Sequence, residues 1–224
     1  RWTVEAPFGS VTTLLPSASV ATPTLTLDAE GTYILRLVVT DDQGLVSCVA
    51  AEHQVTAVRD MRIYVQLTWD TPGDPNPYDS SGTGDVFSVG SDMDLHFLSP
   101  KANGGYFGSY DCYFANPNPE WGIFDPADNP VMNRDDNDGA GPETIGLARP
   151  EDDVRYQVGV HYYDDWGYGD SVATLRVYID GELRDAWSAP MAMDDMWHTH
   201  AIDWPSGVVT RIGTAPHITP NYYY

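Results

Sequence analysis

Prolines and glycines occur along the whole chain, and their spread excludes most helical folds. The 224 residues include 17 prolines and 20 glycines, and no window of 11 residues keeps a regular 3.6-residue period of apolar positions. Runs with a period of two, rich in β-branched and aromatic residues, predict strands instead. The predicted strands are 32–40, 53–58, 61–69, 93–98, 156–163, 173–179, 197–204 and 208–212.

The connections between these runs favour antiparallel pairing. Asp180 and Gly181 lie between the strand predicted at 173–179 and the segment "GELRDAW", and an Asp-Gly pair is typical of two-residue hairpin turns. The long stretches rich in Pro, Gly and Asp fit loops inserted between strands of a sandwich. We therefore expect an all-β fold of two antiparallel β-sandwich modules.

A boundary between the modules is expected near residues 58–60, where one set of strands ends and "MRIYVQLTW" begins. The expected organisation is a first module at 1–58, a larger module at 60–213 and a C-terminal tail at 214–224. The tail is expected either to lie along a neighbouring subunit or to lead into a longer chain. Because the chain opens without Met or a signal peptide, we interpret it as part of a longer precursor.

The charge balance constrains the partners. There are 33 acidic and 11 basic residues, for a formal charge of -22, and Lys101 is the single lysine. Such a surface repels phosphate backbones, so we expect no nucleic-acid partner, whereas cations are suitable partners. The alternative is that the acidity only keeps a secreted protein soluble. No run approaches the roughly 18 apolar residues of a membrane span, so no span is expected.

The two cysteines, Cys48 and Cys112, allow a disulfide but do not require one. A disulfide would indicate an oxidising compartment, and two buried free thiols are the alternative.

The segment "SDMDLHF" combines a polar face with an apolar face. The alternation of a strand places Asp92, Asp94 and His96 on one face, and the intervening Met, Leu and Phe on the other. Carboxylates buried side by side without a partner are costly, and a shared cation removes that cost. A solvent-facing strand surface is the alternative.

The loop "NRDDNDGAGPE", residues 133–143, is the second acidic segment. It fails the pattern of an EF-hand, because alignment of Gly139 with position 6 places Arg134 at position 1 and Ile145 at position 12. Other segments must then supply ligands. Oxygen ligands suit Ca²⁺ better than Zn²⁺, and we expect one split Ca²⁺ site. Its expected residues are Asp92, Asp94, Asp136, Asp138 and Glu143, with His96 on the same strand face as the first two.

Two other kinds of site are weighed. His96 and His161, together with Asp94, would form a transition-metal site of the kind that hydrolases use, if they meet across the sheet. Trp166 and Tyr168, which lie between acidic residues and glycines, are candidates for stacking on a sugar ring. The rings of Tyr106, Phe107, Tyr113 and Phe114 are expected to form satellite cores instead.

The segment "GTYILRLVVTDDQGLVS", residues 31–47, resembles the C-terminal half of a PKD-type immunoglobulin-like domain, and Trp2 lies where that family has its core tryptophan. The opening pair of strands is missing from the match. The resemblance therefore implies a partial domain, which other copies or another surface protein would complete by strand addition.

The remaining segments resemble a secreted β-sandwich domain of the YfaP-like type, as in myxobacterial surface proteins. The match covers most of residues 60–213 and includes the elements D-x-D-L-H and D-G-x-G-P-E. It implies a jelly-roll-like sandwich in a cell-envelope setting, and it implies no known reaction.

These patterns lead to three hypotheses of function. The first is a non-enzymatic, extracellular, Ca²⁺-stabilised structural or adhesive protein of a bacterial surface or filament. The second is a carbohydrate-binding module, and the third is a metal-dependent hydrolase.

Overall fold

A computed structural model describes residues 1–7, 10–27, 31–57, 61–74, 90–103, 105–137 and 139–223. The chain divides into two compact units, Arg1–Arg59 and Asp60–Tyr224. Strands dominate both units, and every pairing between the described strands is antiparallel. Two short 3-10 turns, Pro100–Ala102 and Pro126–Asp128, are the helical elements of the described residues. The predicted all-β, antiparallel fold class is confirmed.

The first unit contains one three-stranded sheet in the order β1-β2-β3. Its strands are β1 (Trp2–Glu5), β2 (Gly31–Leu37) and β3 (Ala51–Ala57). Arg36 in the central strand forms ion pairs with both neighbouring strands, to Glu5 at 2.7 Å and to Glu52 at 2.9 Å. Tyr33 is the one buried hydrophobic residue among the described residues of this unit.

Two sheets form the second unit. The five-stranded sheet has the order β11-β10-β4-β8-β7, with β4 (Ile63–Asp70), β7 (Pro130–Arg134), β8 (Glu143–Leu147), β10 (Ser171–Ile179) and β11 (Glu182–Met191). The other sheet has the order β13-β12-β9-β5-β6, and β14 also pairs with β12. Its strands are β5 (Asp92–Leu98), β6 (Asp111–Cys112), β9 (Val154–Asp164), β12 (Met196–Trp204), β13 (Val208–Arg211) and β14 (His217–Thr219).

The main core lies between these two sheets. Alternate residues of β4 and β5, such as Leu67 and Leu95, belong to one buried cluster with Val160 of β9 and Leu175 of β10. Burial of each such side chain stabilises the fold by about 1.5–3 kcal/mol. The packing of the sheets fixes the position of β5, whose other face carries the polar residues.

The predicted hairpin turn is present at Asp180 and Gly181, whose φ angles of 52° and 77° are both positive. This combination suits the type I′ turn that an Asp-Gly hairpin requires. The strand pair β7 and β8 was not predicted, because the acidic residues between the two strands dominate their short apolar patterns. Glu143 is consequently the first residue of a strand and not part of a loop.

The C-terminal segment, expected to lie along a neighbouring subunit or to lead into a longer chain, makes contacts within its own chain. Strand β14 pairs with β12, and the backbone N–H of Tyr222 donates to the carbonyl of Asp194 at 2.7 Å. Residues 217–222 therefore pack on the second unit itself.

Both cysteines are free thiols in the structure, and they belong to different units, so a disulfide between Cys48 and Cys112 stays a prediction. Cys48 is exposed, whereas Cys112 is buried in the core and its Sγ lies 3.4 Å from the carbonyl oxygen of Pro117. Among the described residues, no helix has the length and apolarity needed to cross a membrane.

Gly159 of β9 allows a tyrosine ring to lie against the sheet. A Cβ atom at this position would lie 2.5 Å from Cε1 of Tyr106. We expect Gly159→Ala to lower the free energy of unfolding by about 1–3 kcal/mol through overpacking, as measured by urea denaturation. Gly108→Ala is the control, since its nearest neighbour atom would be 3.9 Å away. Equal stabilities of the two variants would contradict this account.

Candidate metal centre

Strand β5 places its side chains as the alternation predicts. Met93, Leu95 and Phe97 lie in the core between the sheets. Asp94 and His96 are also buried, with 3% and 0% of their surfaces exposed. The alternative of a solvent-facing polar surface is therefore wrong at these two positions, because other parts of the chain cover them.

Three carboxylates meet at one end of this strand. Asp94 of β5, Asp135 just after β7, and Glu143 at the start of β8 each offer one oxygen, and these oxygens lie within 4.8 Å of one another. Asp94 and Glu143 are buried, whereas Asp135 is exposed. The acidic triad, as we name these three residues, joins the two sheets of the second unit at the connection between β7 and β8.

Glu143 is held by backbone hydrogen bonds on both of its oxygens. Leu95 N–H donates to Oε2 at 2.6 Å, and Asp136 N–H donates to Oε1 at 3.2 Å. The short strand β6 pairs with β5 only at Phe97 and Leu98. The carboxylate of Glu143 therefore binds a backbone donor of β5 that lies beyond the end of β6.

The clustering of acids disfavours their ionised forms. Complete burial, and next the charges of Asp94 and Asp135, raise the pKa of Glu143 well above its ordinary value. Partial desolvation of the Asp135 carboxyl also raises its pKa, whereas a hydrogen bond with Glu143 lowers it. This bond requires a proton between two carboxylates, and a metal ion can take the place of that proton.

Asp92 borders the triad and shares its electrostatics. Burial raises the pKa of Asp92 to about 8, with further contributions from the charges of Asp94, Asp135, Asp136 and Asp164. Oδ1 of Asp92 and Oδ2 of Asp94 are both buried without a hydrogen-bond partner among the described residues. The region therefore has carboxylate oxygens available for a cation.

The acidic triad can hold a metal ion. Two oxygens bound to one Ca²⁺ at about 2.4 Å lie at most about 4.8 Å apart, and the three oxygens of the triad meet this limit. In the described part of the chain, no arginine or lysine pairs with these three carboxylates, and the neighbouring Arg134 donates from Nη2 to Oδ2 of Asp136 at 2.7 Å instead. The geometry and the charge both suit a divalent ion.

The structure brings together only some of the predicted ligands. Asp94 and Glu143 belong to the triad, Asp92 lies beside it, and Asp136 pairs with Arg134. Asp138 lies outside the described residues. His96 turns away from the triad, and its Nδ1 is 2.7 Å from Oδ2 of Asp111.

Asp135 is the member of the triad that the sequence reasoning missed. The comparison with an EF-hand placed residues 136 and 138 at ligand positions 3 and 5, so residue 135 fell at position 2, which is not a ligand position. The sequence does contain a signal for Asp135. This residue follows the last residue of β7 directly, so the strand fixes its position. That signal required the β7–β8 pair to be recognised.

Aromatic rings cover the outer face of β5 and β9. Tyr106, Phe107 and Tyr113 surround His96 with ring centroids 4.7–5.3 Å from its own, and Phe107 lies 5.4 Å from His161. Tyr106 forms a second small core with Leu98 and Met196, so the expected satellite core is present for that ring. This aromatic roof separates His96 from solvent.

Trp166 and Tyr168, the proposed sugar-stacking pair, lie in the turn after β9. Trp166 is 52% exposed, and Tyr168 is half-buried. Trp166 adopts a positive φ of 48°, and its N–H donates to Oδ1 of Asp164 at 2.8 Å. The exposed indole remains available for stacking, and the glycan interpretation stays a prediction.

A separate cleft of about 720 Å³ has a mixed-charge lining. Within it, Arg149 pairs with Asp125 at 2.5 Å, and Lys101 approaches Glu151 at 3.5 Å. Its charges therefore balance one another across the cleft, in contrast to the one-signed acidic triad.

Asp92, beside the acidic triad, gives a pH dependence with a defined sign. Because the pKa of Asp92 is about 8 in the folded chain and near its ordinary value when unfolded, the folded chain holds this proton more tightly. In the presence of a chelator, the free energy of unfolding should fall as the pH rises from about 4 to about 8, by at most about 1.4 kcal/mol per pH unit for this carboxyl. Urea denaturation at several pH values measures the fall.

The control for this prediction is Asp92→Asn, which removes the titrating carboxyl. We expect this variant to lose part of the pH dependence between pH 4 and 8. An unchanged slope in the variant would show that Asp92 does not contribute.

Comparison with known proteins identifies no relative. No family model, no curated protein and no solved structure matches this chain. The resemblances to PKD-type and YfaP-like domains therefore stay predictions, and the function is argued from the site.

Proposed function

We propose that this protein is a non-enzymatic, extracellular structural protein whose larger unit is stabilised by a divalent cation. The acidic triad carries the proposal, because its three carboxylates come from three parts of the fold. Asp94 belongs to the six-stranded sheet, Glu143 to the five-stranded sheet, and Asp135 to the connection between β7 and β8. An ion at this place would join the two sheets, and it would fix the connection between β7 and β8.

The carboxylate ligands favour Ca²⁺ as that ion. Ca²⁺ takes six to eight oxygen ligands and tolerates irregular geometry, and Asp92 adds a further carboxylate beside the triad. Extracellular modules bind Ca²⁺ with dissociation constants of about 0.1–1 mM, so a surface protein would be loaded without a high-affinity site. The excess of acidic residues, 33 against 11 basic, agrees with such a setting.

The structural role is favoured over catalysis by the enclosure of the histidines. His96 is fully buried under the aromatic roof and bonded to Asp111. A general base must reach its substrate within about 3 Å, and this ring does not contact solvent. The site is therefore suited to stabilising the fold.

Calcium addition tests the proposal. After treatment with a chelator, we expect about 10 mM Ca²⁺ to raise the melting temperature of the full chain by about 3–10 °C, which corresponds to roughly 1.4–2.7 kcal/mol for dissociation constants of about 0.1–1 mM. Differential scanning calorimetry measures the rise. We expect Glu143→Gln to abolish it, because one buried ligand charge is removed.

The matched control is Glu182→Gln, whose side chain is exposed and pairs with Arg184. This variant should keep the full response to Ca²⁺. If the wild-type chain shows neither binding heat nor a shift in melting temperature with any divalent ion, the proposal is wrong.

We propose in addition that the first unit associates with other copies of the chain. Among its described residues only Tyr33 is a buried hydrophobic residue, and many large apolar side chains are exposed. These exposed side chains are Val11, Leu15, Leu27, Val39, Leu45, Val46 and Val49. β1 and β3 also form the two edges of the sheet in the described part of this unit, and such edges accept further strands. Assembly would support an adhesive or filament role.

Sedimentation of the full chain tests this association. We expect concentration-dependent self-association of the wild type, and we expect Leu45→Asp to weaken it at least about tenfold by placing a charge in an apolar contact. Leu183→Asp is the control, because Leu183 is an exposed leucine of the second unit. Its side chain is 53% exposed, and that of Leu45 is 68% exposed. A wild-type chain that stays monomeric at all concentrations would overturn the proposal.

A further inference from the structure

The two ring nitrogens of His161 have different surroundings. His161 is 2% exposed, and its Nε2 lies 3.0 Å from the carbonyl oxygen of Tyr222. A carbonyl oxygen only accepts hydrogen bonds, so Nε2 carries the hydrogen of this bond. Nδ1 is buried without a hydrogen-bond partner among the described residues.

Nδ1 of His161 lies beside Asp94, one member of the acidic triad. It lies 3.6 Å from Oδ2 of Asp94, which is too long for a hydrogen bond, and that oxygen is also buried without a hydrogen-bond partner in the described part of the chain. In the neutral ring, two lone pairs would face each other inside the protein, which is unfavourable. A shared cation resolves this contact, because a nitrogen and an oxygen bound to one transition ion lie roughly 3.0–3.6 Å apart.

The fold holds His161 in this orientation. Asp94 and His161 are directly paired in the register of β5 and β9, so their side chains share one face of the sheet. Phe107 packs edge-on against the imidazole at 5.4 Å. A histidine that donates the N–H of one nitrogen to a backbone carbonyl while its other nitrogen lies beside a carboxylate has the usual surroundings of a metal ligand.

We propose that Nδ1 of His161 is a fourth ligand of the cation held by the acidic triad. This inference rests on the proposed function, since it requires the triad to bind a divalent ion. A nitrogen ligand favours transition ions over Ca²⁺. The site then binds Mn²⁺ or Zn²⁺ more tightly than Ca²⁺, and the metal that it selects is set by His161 in addition to the carboxylates.

His96 is excluded from the same role by its contacts. Its Nδ1 bonds to Asp111, and its ring lies under Tyr113 in a stacked arrangement at 5.2 Å. The two histidines expected to share one metal ion therefore have different partners. His161 lies beside the triad, whereas His96 is bonded to Asp111.

Pulsed electron paramagnetic resonance of the full chain loaded with MnCl₂ tests the proposal. We expect nitrogen coupling from a bound imidazole, which changes to the ¹⁵N pattern when the histidines alone are labelled with ¹⁵N. This measurement uses the wild-type chain and does not depend on the folding of any variant. Calorimetric titration should show Mn²⁺ binding at least about tenfold tighter than Ca²⁺.

Variants separate the nitrogen ligand from the triad. His161→Gln should remove the nitrogen coupling and weaken Mn²⁺ binding at least about tenfold, while Ca²⁺ binding changes less than threefold. His53→Gln, at an exposed histidine of the first unit, should behave as the wild type. Mn²⁺ binding without nitrogen coupling would overturn the inference and leave the cation site standing. Absence of binding by both ions would overturn the inference and the proposed function together.

Discussion

The buried carboxylate of Glu143 is the interaction on which the second unit depends. It accepts hydrogen bonds from Leu95 of one sheet and from Asp136 in the connection after β7, and it is fully enclosed. Removing an ionised carboxylate from water costs several kcal/mol. Two backbone donors offset part of this cost, and the adjoining Asp94 and Asp135 increase it. Either a proton or a cation must therefore accompany Glu143, and this requirement ties the packing of the sheets to the chemistry of the site.

Strand β5 is unusual because both of its faces are buried. Its apolar face lies in the main core, whereas Asp94 and His96 lie on the opposite face, beneath other segments. A polar face can be enclosed only if its groups find partners. Asp111 bonds to Nδ1 of His96 and the aromatic roof covers the ring, whereas Nε2 of His96 has no hydrogen-bond partner among the described residues. Gly159 leaves the space that the ring of Tyr106 occupies. Residues of the segment between β5 and β7 thus cover the polar face of β5, which points away from the core between the two sheets.

The sequence predicts the strands far better than the site. Period-2 patterns place β5, β9, β10 and β12 within about two residues of their observed bounds, because alternation follows directly from burial on one face. Asp111 has no comparable signal, since its contact with His96 spans 15 residues and depends on the path of a loop. Asp135 was missed because its role depends on β7 and β8, whose short patterns are masked by the acidic residues between them. Contacts that follow from the register of paired strands were predictable. Contacts that depend on the course of a loop were not.

The C-terminal segment takes part in the same site through the backbone. Pairing of β14 with β12 positions residues 217–219, and the carbonyl of Tyr222 then orients the imidazole of His161. These two residues are 61 positions apart, so the direction of Nδ1 is set only when the end of the described chain has packed. The triad depends in turn on β5, β7 and β8. The proposed cation site therefore requires both sheets and the C-terminal segment to be in place, so that metal binding at this site would report complete folding of the second unit.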